Sequence, residues 1–319
     1  MGIKYLNRYL RINCPNSIKE ISIAELSGKK IAVDVSIYLY KYETEDALLE
    51  NMYLLLSILR NYNIIPIFIF DGKPPAEKKP VIQQRINNRV DAEIEYNILQ
   101  KKLQNIDNEE DKQEIIETLD ILKKKIVYMT KDKVNQVKSL IRAYGATYYD
   151  AHGEADELCA MLVIRKMVWA CLSEDMDMFV YGCTRVIRYF SLIQHTAVLY
   201  YTKGILEELK LTQIELRQIC ILSGTDYNVN HDIQSMNLFN AMRYFNKYKQ
   251  QKHISCFYDW IKENTDIDIN DDLLAKINNM FDISRNLSLE DYNDISIINT
   301  SVNHTLLENI LQNDGFIFL

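Results

Sequence analysis

Asp175 and Asp177 stand two positions apart in SEDMDMF, residues 173–179, directly after the apolar run VWACL. Asp34 lies near the end of another apolar run, Asp71 directly follows a third, and Glu154 and Asp156 follow a fourth. Asp226, in SGTDY, is a seventh candidate from outside these runs. A lone aspartate after a strand is ordinarily a turn former or a helix cap. Several on one edge are harder to explain that way, because like charges raise one another's pKa and destabilise a fold unless cations neutralise them. Hard, all-oxygen ligation suits Mg²⁺ or Mn²⁺. Two such ions about 4 Å apart serve phosphodiester chemistry, one generating hydroxide from water while the other stabilises the leaving oxygen.

Bringing these acids together requires strands whose ends share an edge. Four β-rich runs, KKIAVDV (29–35), NIIPIFIF (63–70), ATYYDA (146–151) and VWACL (168–172), alternate with helical patterns. This is the signature of βαβ units and a mostly parallel, Rossmann-like sheet flanked by helices, with ligands bound outside its carboxyl edge. NIIPIFIF is apolar throughout, as expected of a strand covered on both faces. RVIRYFSL and TAVLYYT are expected to form an antiparallel edge, and the chain reads as helical from Ile205 onward. A charged, helix-prone insertion runs from Lys73 to Lys133.

With 319 residues, 48% of them hydrophobic, the chain can bury one large core carrying an insertion. MGIKYLNRYL lacks the apolar core of a signal peptide, Leu6 stands where a myristoylation signal wants Ser or Thr, and no run approaches the ~20 apolar residues of a membrane span. The expectation is a soluble intracellular protein without a membrane partner. Six cysteines without a C-x-x-C pair read as buried reduced thiols. The net charge of −7 argues against a polyanionic partner until its distribution is considered. Residues 72–145 carry 15 Lys+Arg against 12 Asp+Glu, whereas residues 259–319 carry 3 against 12. The acid lies partly in the tail, which leaves nucleic-acid binding open elsewhere.

The stretches that carry the acids resemble the flap endonuclease (XPG/Rad2-type) family of structure-specific 5′ nucleases. MGI, IAVDVSIYLY, FDGKPPAEKK, the stretch from YMTKDK through GEADELCA, SEDMDMFVYG and CILSGTDY occur in family order, over roughly residues 1–230. The resemblance implies a PIN-like catalytic domain over 1–230, made of an N-terminal region 1–75, a helical arch 76–133 and an internal region 134–230, with a helical C-terminal region over 231–319. It implies metal-binding roles for Asp34, Asp71, Glu154, Asp156, Asp175, Asp177 and Asp226, although Glu154-Ala-Asp156 replaces the family's Glu-x-Glu. Two Mg²⁺ ions, replaceable by Mn²⁺, are the implied cofactors. The catalytic basic pair falls on Lys78 and Arg85, and their seven-residue spacing sets both on one helix face. Tyr40 matches a tyrosine that stacks on a base, although a core tyrosine fits the same pattern, and Gly2 matches a glycine near the metals. Lys131, with Lys133 and Lys123-Lys124-Lys125, is a candidate phosphate contact.

Two departures qualify the resemblance. After Asp226 the chain reads NVNHDIQSMNLFNAM, without the glycines of the family's helix-two-turn-helix, which puts duplex and K⁺ binding there in doubt. In QNDGFIFL, Gly315 falls where a sliding-clamp box needs an aliphatic residue, which argues against clamp binding. The implied activity is Mg²⁺-dependent cleavage of DNA at single-strand/duplex junctions, by a monomer in the nucleus or the cytoplasm, a viral replication site included. A related nuclease acting on RNA and a catalytically silent nucleic-acid-binding scaffold remain the alternatives. A zinc deaminase reading of His152-Gly-Glu154 lacks its downstream P-C-x-x-C.

Overall fold

The computed structural model describes residues 2–104, 109–228, 236–251, 256–283 and 295–316. In chain order the named elements begin with α1 (Leu6–Asn13), β1 (Ile18–Ser22), β2 (Lys30–Asp34), α2 (Val35–Thr44), α3 (Leu48–Asn61) and β3 (Ile65–Phe70). The insertion supplies α4 (Lys79–Leu103) and α5 (Glu109–Ile126), and α6 (Lys131–Ala143), β4 (Thr147–Asp150), α7 (Ala155–Ile164), β5 (Ala170–Leu172) and α8 (Asp177–Tyr181) follow. Then come β6 (Arg185–Arg188), β7 (Thr196–Tyr201), α9 (Thr202–Leu209) and α10 (Gln213–Ser223). The chain closes with α11 (Leu238–Gln250), α12 (Phe257–Asn264), α13 (Asp271–Met280) and α14 (His304–Asn313).

Among the described residues the strands form one sheet in the order β1-β7-β6-β5-β2-β3-β4. β6, β5, β2, β3 and β4 are parallel neighbours, while β7 is antiparallel to both β6 and β1. RVIR and TAVLYY pair antiparallel as the sequence led one to expect; RVIR also joins the parallel set through β5, and β7 finds a second antiparallel partner in β1, which the sequence pattern did not reveal.

Alternation along the strands sorts side chains into two cores. Ile31, Val33, Phe68, Phe70 and Leu172 face α2, α3 and α6, whereas Ala32, Ile67, Ile69 and Cys171 face α7, α8 and α10. α11, α12 and α13 pack into this second core through Phe245, Phe257, Trp260 and Phe281. α14 packs on the opposite face, with Leu307 and Leu311 buried. The segment before it crosses the start of β4: Thr300 N–H donates to Gly145 O at 2.8 Å, and Ile298 N–H to Thr147 Oγ1 at 3.1 Å.

The insertion is a helical hairpin. α4 and α5 meet through Val81, Ala92, Ile115, Leu119 and Leu122, while Ile86, Val90, Ile94 and Ile98 are exposed along α4. Five of the six cysteines are buried and none is disulfide-bonded, in line with the expected reduced thiols. Among the described residues no helix is long and apolar enough to cross a membrane. Residues 229–235 of the glycine-poor stretch after Asp226, and the final residues 317–319, lie outside the described residues.

Candidate active site

The parallel register carries the ends of β2, β3, β4 and β5 to one edge, pairing Asp34 with Ile69, Phe70 with Asp150, and Val33 with Leu172. Asp34 ends β2, Asp71 directly follows β3, Glu154 immediately precedes α7 and Asp156 lies in its first turn. Asp175 lies in the loop after β5, and Asp177 opens α8. The loops after β3 and β4 are pressed together, with Gly72 N–H donating to Gly153 O at 2.7 Å. A Cβ on Gly72 would collide with Ala151 O, so only glycine permits this approach.

A pocket of about 130 Å³ at this edge is lined by Asp34, Ser36, Ile37, Tyr40, Asp71, Lys78, Arg85, Glu154, Asp156, Asp175 and Asp226. The structure therefore gathers six of the seven candidate acids, both candidate bases and Tyr40. Asp177 lies just beneath, 2% exposed, and its Oδ1 has no hydrogen-bond partner. Gly2 lies against it: a Cβ there would collide with Asp175 Oδ1 and Asp177 Oδ1. Tyr40 is half exposed at the mouth, whereas its neighbours Tyr38 and Tyr42 are the core tyrosines. Lys131 stands apart, exposed at the start of α6 and outside the pocket lining, and Lys133 is ion-paired with Glu43.

Several acids are oriented by neighbours. Ser173 Oγ donates to Asp34 Oδ2 at 2.8 Å, and Ser36 Oγ to Asp71 Oδ2 at 2.5 Å. Asp71 Oδ1 accepts from Ala155 N–H at 2.8 Å, which fixes it at the N-terminus of α7, where the helix dipole favours an anion. Asp175 Oδ1 accepts from Asp177 N–H at 2.9 Å. Glu154 is held twice, Oε1 by Lys78 and Oε2 by the Tyr227 hydroxyl. Arg85 donates to Asp226 Oδ2 at 2.6 Å. Helix α4 begins one residue after Lys78, which caps it in helical geometry, so the expected common face for Lys78 and Arg85 is retained. Ser36, Ser173 and Tyr227 were not singled out from the sequence. Each lies within or beside a motif that was, but its role depends on a distant partner.

The electrostatics follow from crowding acids in a dry place. Burial first, and then the charge of Asp71, raises the Asp34 carboxyl to about 7. Burial also lifts Asp156 and Asp177, seconded by Glu154 for the former and Asp175 for the latter. For Lys78, burial pulls the ammonium down, but Glu154, Asp156 and Asp226 outweigh it and leave its pKa above the ordinary lysine value.

The donor set is all oxygen, and the unpartnered Asp177 Oδ1 is a buried acceptor without a donor, which is the chemistry a hard divalent cation satisfies. In the present arrangement no three acidic, histidine or cysteine side chains among the described residues are set to hold a metal ion. Glu154 and Asp226 are instead engaged by Lys78 and Arg85. The residues fit the ion in kind.

The same α/β architecture occurs in the catalytic core of Rad2 in complex with DNA substrate, which is 18% identical and superposes with a TM-score of 0.68 over 98% of this chain and 94% of that one. At this identity the likeness defines the class of fold, that of the Rad2-type nuclease cores. The XPG N-terminal domain matches residues 1–92 and the XPG I-region matches residues 145–226. Flap endonuclease 1 of Glossina morsitans morsitans is 31% identical over 78% of this chain and 66% of its own length. Flap endonuclease 1 of Entamoeba histolytica is 31% identical over 80% of this chain and 69% of its own length. This chain belongs to the XPG/Rad2-type flap endonuclease family, and it spans about two thirds of the length of these relatives.

Proposed function

We propose that the chain is a divalent-metal-dependent 5′ nuclease that hydrolyses DNA at junctions between single strand and duplex, such as 5′ flaps. The observation that carries this reading is the convergence of the acids following β2, β3, β4 and β5 on one pocket, with Lys78 and Arg85 reaching into it from the base of α4. Family membership supports the reading, as does the common fold with a nuclease core that binds a DNA substrate.

Two Mg²⁺ ions, or Mn²⁺ in their stead, would be held by Asp34, Asp71, Glu154, Asp156, Asp175, Asp177 and Asp226. When bound they supply hydroxide near neutral pH and neutralise charge on the leaving oxygen. The chain's own groups do the rest. Arg85, a planar fork, and Lys78, a point charge, leave their carboxylate partners for the scissile phosphate and stabilise the charge that develops on it. Tyr40 offers a face for a base at the pocket mouth. Gly2 keeps side-chain volume away from Asp175 and Asp177. Lys131 attracts a more distant phosphate, in a salt-dependent way. Residues 76–133 form the arch against which the single strand docks, residues 1–75 and 134–230 the catalytic body, and 231–319 its helical support. The protein acts as a monomer on branched DNA.

The test compares wild type and Asp177→Ala, in Mg²⁺ and in EDTA, on a 5′-flap DNA, a nicked duplex and a single-stranded RNA. Metal-dependent cutting at the flap junction, lost in the variant, is expected. Cutting of RNA alone would overturn the DNA assignment, and a fully active variant would remove the acid cluster from the chemistry.

A further inference from the structure

We propose that Tyr227 is a positioning residue for Glu154, and that α13 sets it from behind through Phe281. This inference rests on the reading of the acid pocket given above. The Tyr227 hydroxyl donates to Glu154 Oε2, while Lys78 donates to Oε1. With Oε2 tied back, Oε1 is the oxygen left to turn toward the pocket once Lys78 departs. Without the tyrosine hydroxyl, Lys78 becomes the remaining side-chain tie in the structure, and it is the one that must release. The carboxylate then swings about a broad terminal torsion.

The tyrosine is itself tightly held. It is 5% exposed. Its ring meets Phe281 edge to face, with centroids 5.4 Å apart and planes at 77°, one of the arrangements that aromatic pairs prefer. Phe281 directly follows α13, is fully buried, and also contacts Tyr181 at 4.8 Å between centroids. The Tyr181 hydroxyl lies 3.5 Å from that of Tyr227, at the outer limit of a hydrogen bond, so Glu154 is the principal partner of Tyr227. A second arm of α13 reaches the residue beside Lys78. Lys276 Nζ lies 2.6 Å from Glu77 Oε1, and Glu77 is the residue before Lys78. Glu154 is thus braced from the end of α13 through Tyr227, and the residue before Lys78 is paired with the same helix, which lies outside the two stretches that match the XPG domains. Outer partners of this kind typically change metal affinity about 10- to 100-fold when removed.

The test uses the full chain without substrate. Tyr227→Phe keeps the ring and its packing on Phe281 but deletes the bond to Glu154, and Tyr181→Phe deletes a neighbouring hydroxyl that does not touch Glu154. Mn²⁺ binding followed by titration calorimetry is expected to weaken about 10-fold or more in Tyr227→Phe and to stay at the wild-type value in Tyr181→Phe. Phe281→Leu, which never touches Glu154, is expected to weaken it in the same direction by less. Melting in EDTA establishes that each variant is folded. Unchanged Mn²⁺ affinity in Tyr227→Phe, an equal loss in Tyr181→Phe, or no Mn²⁺ binding by the wild type would each overturn the proposal. Wild-type affinity in Phe281→Leu would remove α13 from it. A separate flap-cleavage assay keeps the two readings apart: a wild type that binds Mn²⁺ with the expected dependence on Tyr227 but cuts no flap would sink the nuclease assignment and leave the positioning role standing.

Discussion

At the carboxyl edge of the sheet Asp34, Asp71 and Asp175 accept from a neighbouring hydroxyl or a backbone N–H, and Glu154 and Asp226 are held by Lys78 and Arg85, whereas α4 and α5 rest on one another through a narrow seam. The edge is dry and electrostatically unfavourable on its own: Asp34, Asp156 and Asp177 are all buried and all raised in pKa. The hairpin is wet and presents apolar side chains to solvent along α4. The candidate catalytic groups are concentrated where the burial of like charges costs stability, whereas the hairpin leaves much of its surface exposed.

The largest expected effect that would break this contrast is at Asp177. Asp177→Ala should lower single-turnover cleavage by more than ~100-fold, beyond the usual effect of an outer partner, while raising the melting temperature in EDTA because a buried, repelled acid is gone. A variant that melts lower and still cuts would reverse the assignment of cost and function. Arg85→Ala comes next, with a loss of about 100-fold in cleavage. Little change in melting is expected, since the Arg85 side chain is 50% exposed. A loss of stability in place of activity would make Arg85 a strut for the arch.

Smaller effects concern stability alone. Folded Asp34 keeps its proton up to about 7, whereas the unfolded chain releases it near the ordinary 3.8. Metal-free protein should therefore be most stable at the acid end of this interval and lose stability as pH rises through it to about 7. Mg²⁺ at 100 times its dissociation constant should restore about 2.7 kcal/mol above that range. Melts that do not differ between Mg²⁺ and EDTA at pH 8 would separate the acids from any metal. Least of all, Ile94→Lys should change stability by no more than ~0.5 kcal/mol by chemical denaturation, the usual bound for a surface substitution. Its side chain lies on the exposed face of α4. A larger loss would mean that the arch is anchored more firmly than its packing indicates.

The contrast also governs what could be read from the amino-acid order. β2 and β3 were legible because strands covered on both faces are written as continuous apolar runs, and the acids were legible because they interrupt such runs at one end. β1, IKEIS, escaped notice because it is a half-exposed edge strand whose partner β7 lies on the far side of the catalytic body in sequence. Remoteness of the same kind hid Ser173 behind Asp34 and Tyr227 behind Glu154. Spacing predicted that Lys78 and Arg85 share a face, but not that each would be held by a carboxylate. For Lys131, charge alone gave a candidate, and the fold set it away from the pocket.

The crossing of residues 296–300 over the start of β4 has a consequence for the fate of the protein in a crowded solution. An open parallel edge is a template on which another chain can add, and here the approach to its start is occupied: Ala146 bridges Asn299, Thr300 N–H donates to Gly145 O and Ile298 N–H to the Thr147 hydroxyl. The opposite edge, β1, is short and carries Lys19 and Glu20 outward. The start of β4 is thus covered against the approach of another chain, and that cover depends on a segment far in sequence from the strand it protects.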